Sequence, residues 1–296
     1  MKILVIGSKG QLGHELVNHC KNSGIKVSGF DLPEIDISSR DQVEKIISDT
    51  APSLVINAAA YTLVDKAESD EITAYAVNKT GPGNIAESCR KTGIPLIHIS
   101  TDFVFDGKKN NPYLESDKVS PLSVYGKSKA AGDDAVRDIL NQHIIIRTSW
   151  LYGVYGNNFV KTMIRLGKER DELNVVADQY GCPTCAADLA RAVLSTAAHI
   201  HDKKETIWGT YHYCGKGITS WHGFTEAILE YAGQHIPLKT KKVNAITTAE
   251  YPTPAKRPSY SALDCTRIQE NFGISQESWK ESLKKTIDKI ISADKG

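Results

Sequence analysis

The chain has 296 residues, which at about 100–200 residues per domain allows one large α/β unit or two domains. Its 41% hydrophobic and 24% charged residues are typical of a globular protein and exclude a disordered or fibrous chain. With 36 basic against 35 acidic residues and no apolar run suited to a membrane span or an export signal, we expect a cytoplasmic protein without nucleic-acid or membrane partners.

The first half of the chain alternates short apolar runs with amphipathic stretches, which is typical of a parallel sheet covered by helices on both faces. We therefore predict an α/β fold with a doubly wound, Rossmann-like parallel sheet of six strands. Five of these strands can be placed, at 2–6, 26–30, 53–57, 96–100 and 144–148. The helices predicted between them span 11–23, 40–49 and 73–92.

The strand pattern weakens after about residue 150, where Gly, Pro and aromatic residues become denser. This change predicts a boundary between a sheet domain at 1–150, joined by returning segments from 170–220, and a smaller C-terminal domain at 151–296. Loops of this kind commonly carry a substrate-specific site. At the C-terminus, residues 276–295 carry apolar residues four apart and predict an amphipathic closing helix.

A glycine-rich segment follows the first strand directly. Gly7, Gly10 and Gly13 stand in GSKGQLG and open the first helix, where glycine allows a tight turn and the helix N-terminus attracts a pyrophosphate. Asp31 ends the second strand eighteen residues later, at the place where a carboxylate binds an adenosine ribose. The segment predicts a dinucleotide site, and a purely structural turn is the alternative.

Tyr125 and Lys129 are four residues apart in VYGKSK and therefore share one face of a predicted helix. A cation beside a buried phenol stabilises the phenolate, so we expect Lys129 to lower the pKa of Tyr125. Thr101 ends the strand before them, at the sheet edge where doubly wound folds bind ligands. The three residues predict a catalytic site, and an exposed helical pair is the alternative reading.

The cysteines and histidines give no strong metal signal. Cys182 and Cys185 form a CPTC segment, which suits half a zinc site or a redox pair, but no second pair follows. Six cysteines scattered through a long chain are expected to be reduced. His98, His143 and His212 lie in strand-like surroundings and are expected to be packed side chains, so we predict no metal ligands among them.

The GxxGxxG spacing and the Thr101, Tyr125 and Lys129 set resemble the extended short-chain dehydrogenase/reductases. Further segments make the whole chain similar to the dTDP-4-dehydrorhamnose reductase family. These are NAAAYTLVDKAESD (57–70), STDFVFDG (100–107), SPLSVYGKSKAAGD (120–133), RTSWLYG (147–153), NNFVKTM (157–163), DQYGCPT (178–184) and YPTPAKRPSYSALD (251–264).

The resemblance implies that the chain reduces the C4 ketone of dTDP-4-dehydro-L-rhamnose with NADPH or NADH, the last step of dTDP-rhamnose synthesis for cell-surface polysaccharide. It implies an NAD(P)-binding domain at 1–150 and a mainly sugar-nucleotide-binding domain at 151–296. Tyr125 would protonate the alkoxide, Thr101 would bind the ketone oxygen, and Lys129, which Asn78 supports through water, would hold the nicotinamide ribose.

The implied binding residues form two groups. The residues implied in cofactor binding are Gly7, Gly10, Gln11, Leu12, Gly13, Asp31, Asp36, Ile37, Ala58, Ala59, Tyr61, Asn78, Tyr125 and Lys129. The residues implied in sugar-nucleotide binding are Val64, Asp65, Lys66, Thr101, Asp102, Phe103, Trp150, Asn158 and Arg257. Packing is the alternative role for Ala58, Ala59 and Trp150, and a solvated surface charge is the alternative for Arg257.

A sugar-nucleotide dehydratase of the same superfamily is disfavoured, because it needs an Asp-Glu pair after the active-site Thr and Phe103 stands where that Glu would be. The alternatives that stay open are another sugar-nucleotide reductase or a 4-epimerase of the same family, and a non-catalytic NADP-binding regulatory subunit. Asp31 favours NADH and Lys9 favours NADPH. A homodimer bridged by magnesium at Glu15 and Asp188 is also implied by some family members.

Overall fold

The secondary structure alternates between strands and helices over residues 1–202 and 205–293, which the computed structural model describes. The strands are β1 (Lys2–Ile6), β2 (Lys26–Phe30), β3 (Leu54–Asn57), β4 (Leu96–Thr101), β5 (His143–Thr148), β6 (Leu151–Tyr152), β7 (Glu172–Val176), β8 (Tyr180–Gly181), β9 (Thr184–Cys185), β10 (Gly209–His212), β11 (Thr219–Ser220) and β12 (Lys242–Ile246). The helices are α1 (Gln11–Asn22), α2 (Arg40–Thr50), α3 (Val64–Ala67), α4 (Glu71–Tyr75), α5 (Gly81–Thr92), α6 (Val124–Ile139), α7 (Phe159–Glu169), α8 (Ala186–Asp202), α9 (Trp221–Gly233), α10 (Thr266–Phe272) and α11 (Trp279–Ala293).

Six parallel strands form the central sheet, in the order β10-β5-β4-β3-β1-β2. The predicted doubly wound sheet is thus confirmed. The chain runs from β1 outwards to β2 and then returns to β3 on the other side of β1, so the strand order reverses between β1 and β3. Ligands bind at the carboxyl ends of the strands at such a reversal.

The sixth strand is β10, which the sequence pattern did not locate. Its four residues read GTYH and lack an apolar run, and the strand follows α8, which packs against α1. The central sheet therefore takes its last strand from the second half of the chain. The domain boundary at residue 150 stays a prediction.

The predicted helix at 73–92 is interrupted. The chain forms α4, then a π-helical turn at Ala76–Thr80, then α5. Pro82 has no backbone N–H and cannot bond the carbonyl of Asn78 four residues earlier, which accounts for the wider turn. The turn places Asn78 at the base of the site described below.

Three large apolar clusters hold the fold together. Two of them cover opposite faces of the central sheet, one containing Ile146 and Leu189 and the other containing Ile85 and Val136. The third lies among α7, α9 and α11. The amphipathic pattern of the closing helix is confirmed over α11, and Lys295 lies outside the described residues. Within the described ranges, no helix combines the length and apolar character needed to cross a membrane.

Candidate active site

A cleft of about 770 Å³ opens at the carboxyl ends of the central strands, beside the reversal between β1 and β3. It brings together most of the residues singled out in the sequence. These are Gly7, Gly10, Gln11, Leu12, Asp31, Asp36, Ile37, Ala58, Ala59, Val64, Thr101, Asp102, Phe103, Tyr125, Lys129, Trp150 and Asn158. Six others lie outside its lining, namely Gly13, Tyr61, Asp65, Lys66, Asn78 and Arg257.

The glycine-rich turn has no room for larger residues. Gly7 has φ +84°, and a Cβ there would lie 2.5 Å from the backbone nitrogen of Ala59. A Cβ on Gly13 would lie 2.0 Å from the carbonyl oxygen of Gly7, so Gly13 allows α1 to approach the turn without lining the cleft. The first turn of α1 borders the cleft at Gln11 and Leu12. This bare backbone cradle at a helix N-terminus fits a dinucleotide pyrophosphate.

Asp31 both faces the cleft and ties the loops together. Its Oδ2 accepts a hydrogen bond of 2.9 Å from the backbone N–H of Lys9, and its Oδ1 accepts one of 2.8 Å from Leu32. The Lys9 ammonium forms a 2.8 Å ion pair with Glu34. The carboxylate is therefore a loop cap as well as a candidate ribose ligand, and Glu34 competes for the cation that would attract a 2′-phosphate.

Thr101, Tyr125 and Lys129 converge at the end of β4, and all three are buried. Ser123 caps α6 by accepting a 3.1 Å hydrogen bond from the N–H of Gly126. A Cβ on Gly126 would lie 2.3 Å from the carbonyl oxygen of Phe103, so this glycine lets α6 approach the end of β4 closely. The close approach brings the Tyr125 side chain into hydrogen-bonding contact with Thr101.

The expected effect of Lys129 on Tyr125 is wrong. Burial, with the negative charges of Asp102 and Asp133, raises the pKa of Tyr125 to about 12 despite its hydrogen bond with Thr101. The Lys129 ammonium instead donates a 2.7 Å hydrogen bond to the carbonyl oxygen of Ile99. Burial lowers the pKa of Lys129 to about 8, against the opposing effect of Asp133. Tyr125 thus holds its proton at neutral pH.

Asp102 is a buried carboxyl group in the wall of the cleft. Its Oδ1 accepts a 3.1 Å hydrogen bond from the Thr101 hydroxyl. Its Oδ2 has no hydrogen-bond partner among the described residues. Burial raises the pKa of Asp102 to about 6. A buried oxygen without a partner in a cleft is suited to accept a hydrogen bond from a bound hydroxyl group.

Comparison with known proteins agrees with this geometry. A family model described as the RmlD substrate binding domain matches residues 1–292. A dTDP-4-dehydrorhamnose reductase of Aggregatibacter actinomycetemcomitans is 45% identical over 285 residues, which cover 96% of this chain and 97% of that protein. The chain belongs to the dTDP-4-dehydrorhamnose reductase family.

Two solved structures of dTDP-4-dehydrorhamnose reductases share the fold over 97% of this chain and 99% of theirs. The one from Clostridium acetobutylicum has 43% identity and a TM-score of 0.91. The one from Bacillus anthracis, solved in complex with NADP, has 40% identity and a TM-score of 0.89. The family resemblance drawn from the sequence motifs is confirmed.

Asn78 and Tyr61 form a support beneath the cleft of this family member. The Asn78 side chain accepts a 2.9 Å hydrogen bond from the N–H of Tyr61 and donates bonds of 3.1 Å to its carbonyl and 3.0 Å to Ser128. Tyr61 itself bonds Asp70 through its hydroxyl. Asn78 therefore fixes the segment after β3, and its expected support of Lys129 through water stays a prediction.

Asp65 and Arg257 bind each other beside the cleft. Their two nitrogen–oxygen distances are 2.8 Å and 3.1 Å, and the backbone N–H of Ala255 also donates to Asp65. The guanidinium holds the pKa of the Asp65 carboxyl below its usual value. Lys66, next to Asp65, is exposed. Both residues were predicted as sugar-nucleotide ligands, but their ion pair with each other was not predicted.

Trp150 lines the cleft with a strained backbone, at φ +47°. Its ring stacks on that of Trp221 with 3.5 Å between centroids, and a Cβ on Gly181 would lie 2.6 Å from the Trp150 ring. Backbone strain at a residue that lines a cleft favours a functional role for Trp150 over a role in packing alone. Neither Trp221 nor Gly181 carries a sequence signal for a site role, although Gly181 lies within the family-like DQYGCPT segment.

Asn158 joins the loop before α7 to α1. Its side-chain amide donates hydrogen bonds of 3.1 Å to the Gln11 side chain and 2.8 Å to the carbonyl of Gly153, while its oxygen caps α7 at Lys161. Gln11 was predicted on the cofactor side of the cleft and Asn158 on the substrate side. The hydrogen bond places the two sides in contact.

The CPTC segment does not form a paired site. Cys182 hydrogen-bonds the thiol of Cys214, whereas Cys185 contacts Thr286 at 3.5 Å, and all six cysteines are free. Across residues 1–202 and 205–293, no group of three or more His, Cys, Asp or Glu side chains is arranged to hold a metal ion. Asp188 binds Ser282 and Arg191, and the magnesium-bridged dimer with Glu15 stays a prediction.

Proposed function

We propose that the chain reduces the C4 ketone of dTDP-4-dehydro-L-rhamnose to the alcohol of dTDP-L-rhamnose, with NADPH or NADH as reductant. The observation that carries the proposal is the convergence of Thr101, Tyr125 and Lys129 in the cleft at the end of β4. Membership of the reductase family supports the choice of substrate. The reaction would complete dTDP-rhamnose synthesis for cell-surface polysaccharide in the cytoplasm.

The dinucleotide would lie along the glycine-rich turn, with Gly7, Gly10 and the first turn of α1 around its pyrophosphate. Asp31, Asp36 and Ile37 border the adenosine end of the cleft, and Ala58 and Ala59 border its middle. The bound nicotinamide supplies the hydride, and the protein supplies position and protons. Lys129 would hold the nicotinamide ribose. The NADP complex of the Bacillus anthracis relative supports NADPH as one accepted reductant.

Tyr125 would donate the proton that the reduced C4 oxygen requires. A raised pKa of about 12 keeps its hydroxyl protonated at neutral pH, so a proton is available for transfer in the direction of reduction. Thr101 would donate a hydrogen bond to the same oxygen as negative charge develops there. The Lys129 ammonium contributes positive charge nearby only while it is protonated, below about pH 8.

The sugar nucleotide would occupy the part of the cleft formed by Val64, Asp102, Phe103, Trp150 and Asn158. Asp102 would accept a hydrogen bond from a sugar hydroxyl through its free Oδ2. Arg257, with Asp65 and Lys66 beside it, would bind the diphosphate, because a guanidinium fork matches phosphate oxygens. For this to happen, Arg257 has to exchange the Asp65 carboxylate for the diphosphate.

The structure supports reduction over elimination. The ring of Phe103 packs edge-on against Tyr125 with 5.5 Å between centroids, so an apolar group occupies the position after Asp102. A dehydratase would need a second carboxylate there. The intact set of Thr101, Tyr125 and Lys129 likewise favours catalysis over a purely regulatory NADP-binding role.

The test is an assay of NADPH and of NADH oxidation with dTDP-4-dehydro-L-rhamnose, followed by identification of the product by NMR. We expect stoichiometric formation of dTDP-L-rhamnose. Cofactor binding without turnover would favour the regulatory alternative. A product with unchanged oxidation level and inverted configuration would favour an epimerase.

A further inference from the structure

A layer of buried polar side chains adjoins Lys129 next to the cleft, and one of its members, Ser100, also lines the cleft. Asn57 and His98 are register partners on β3 and β4, so their side chains share one face of the sheet. On the same face, Ser100 lies two residues beyond His98 and pairs in register with Arg147 on β5. All of these residues are almost fully buried.

The hydrogen bonds in this layer fix the protonation of His98. The N–H of Ala59, in the cleft wall, donates a 3.1 Å bond to Oδ1 of Asn57, which leaves the Asn57 amide N–H to donate to Nδ1 of His98 at 3.1 Å. Burial and the Lys129 charge hold the pKa of His98 well below its usual value, so the ring is neutral. A neutral ring that accepts at Nδ1 carries its proton at Nε2.

The Nε2–H of His98 is near two charged groups of α6. Its nitrogen is 3.5 Å from the Lys129 ammonium and 3.8 Å from Oδ1 of Asp133. The other Asp133 oxygen bonds Ser100 at 2.9 Å and Arg147 at 3.3 Å, while Oδ1 has no hydrogen-bond partner among the described residues. An ammonium and a carboxylate four residues apart on a helix ordinarily attract each other into contact.

We propose that His98 is a positioning residue, which separates the Lys129 ammonium from the free oxygen of Asp133 and so holds the ammonium at the Ile99 carbonyl beside the cleft. His98 Nε2–H and the Lys129 ammonium are both hydrogen-bond donors, so they do not bond each other. The imidazole therefore blocks the ion pair between Lys129 and Asp133 without itself binding the ammonium. The inference rests on the proposed function, in which Lys129 holds the nicotinamide ribose.

Loss of the imidazole should change both the position and the charge of Lys129. The groups that face this layer are Asp133 and Tyr125 from α6, Asp102 from the turn after β4, and Arg147 and His143 from β5. Arg147 is already bonded to one Asp133 oxygen, so only the other is open to Lys129. Direct contact with Asp133 would stabilise the ammonium and raise the pKa of Lys129 above about 8.

The experiment compares His98→Asn with His98→Gln in the full chain. Asn keeps a polar group near Asn57 but does not reach the position of Nε2, whereas the longer Gln side chain places an amide N–H there. His212→Asn is the matched control, because His212 is also fully buried but lies on β10, outside the cleft. Thermal unfolding of each variant checks that it folds.

We expect His98→Asn to lower kcat/KM roughly 10- to 100-fold and to weaken NADPH binding in a fluorescence titration without substrate. The alkaline limb of its pH profile should move upwards, whereas His98→Gln and His212→Asn should stay within about threefold of the parent protein. A merely structural role would lower activity without moving the limb.

The proposal is overturned if the Asn and Gln variants behave alike, if the alkaline limb does not move, or if neither variant folds. Absence of turnover in the parent protein would instead count against the proposed function. In that case the NADPH titration alone would test the role of His98. The proposed role predicts that His98→Asn binds NADPH more weakly than His98→Gln.

Discussion

Arg257 and Asp65 are 192 positions apart in the chain and form a two-point ion pair at the edge of the cleft. The pair joins the loop around Arg257 to α3, whose first residue, Val64, lines the cleft. The side chains are 25% and 42% exposed, so solvent screens the pair and its contribution to stability is small. We therefore expect a diphosphate, which carries more charge, to displace the carboxylate.

The exchange predicts opposite effects of the two partners. Arg257→Ala should raise KM for the sugar nucleotide about 10-fold or more with kcat little changed, because a charge-assisted contact is lost in both ground and transition states. Asp65→Asn should leave that KM unchanged or lower it, since the guanidinium is released. Steady-state kinetics with both variants decides the matter. Equal increases in KM would show that the pair only fastens the loop.

Gly181→Ala tests the position of Trp150. The new Cβ would lie 2.6 Å from the Trp150 ring, which must then leave its stack on Trp221. We expect KM for the sugar nucleotide to rise about 10-fold while the Kd of NADPH stays unchanged. Gly83→Ala is the control, because its Cβ would meet only an ordinary 3.8 Å contact. If Gly181→Ala has parent kinetics, Trp150 is not a substrate residue.

The choice of reductant should depend on Asp31 and Glu34. Asp31→Asn keeps an acceptor for one of the two loop N–H groups and removes the charge, so NADH should bind about 3- to 10-fold more weakly and NADPH more tightly. Glu34→Gln releases Lys9 from its ion pair and should tighten NADPH alone. Fluorescence titration of both cofactors measures these effects. An equal change in both Kd values would remove Asp31 from the binding site.

Burial of the charged Lys129 side chain should lower the free energy of unfolding, and replacement by a neutral side chain should raise it again. Its folded pKa of about 8 lies below the 10.5 of the free side chain, so the folded state is penalised while the lysine is charged. Lys129→Met should raise the free energy of unfolding by about 1–3 kcal/mol at pH 7, and the gain should fade between pH 8 and 10.5.

Urea unfolding at pH 7 and at pH 10 measures this gain. Activity should be lost in the same variant, which separates the proposed catalytic role of Lys129 from the stability cost of its burial. For the parent protein, kcat/KM for NADPH should fall above about pH 8 as free Lys129 loses its proton. A Lys129→Met protein less stable than the parent at pH 7 would contradict the charged, buried lysine.

The sequence predicted the elements whose signal is local. The bounds of β1 and β2 matched because each is an apolar or alternating run ended by a turn, and the glycine-rich turn followed from its spacing. The strand β10 was missed because GTYH is short and polar, and its pairing with β5 is a tertiary contact. Pro82 signals a break in the predicted helix, because proline cannot donate the hydrogen bond to the residue four positions earlier. The prediction treated the helix as continuous, so the π-helical turn at Ala76–Thr80 was missed.

The site was predicted as a set of residues, but its electrostatics were not. Spacing places Tyr125 and Lys129 on one helix face, yet it does not reveal that Asp102 and Asp133 also act on the phenol. His98 was expected to be a packed residue, and its contact with Lys129 depends on how α6 lies over β4. Contacts between distant segments, such as Asp65 with Arg257, require the fold itself.

The central claim is that Tyr125 donates the proton during ketone reduction. Tyr125→Phe removes only the hydroxyl, so NADPH should bind with unchanged Kd while kcat falls by about two to four orders of magnitude. The measurement is single-turnover oxidation of bound NADPH by dTDP-4-dehydro-L-rhamnose, with folding checked by thermal unfolding. A folded Tyr125→Phe protein that oxidises NADPH at the parent rate would contradict the account.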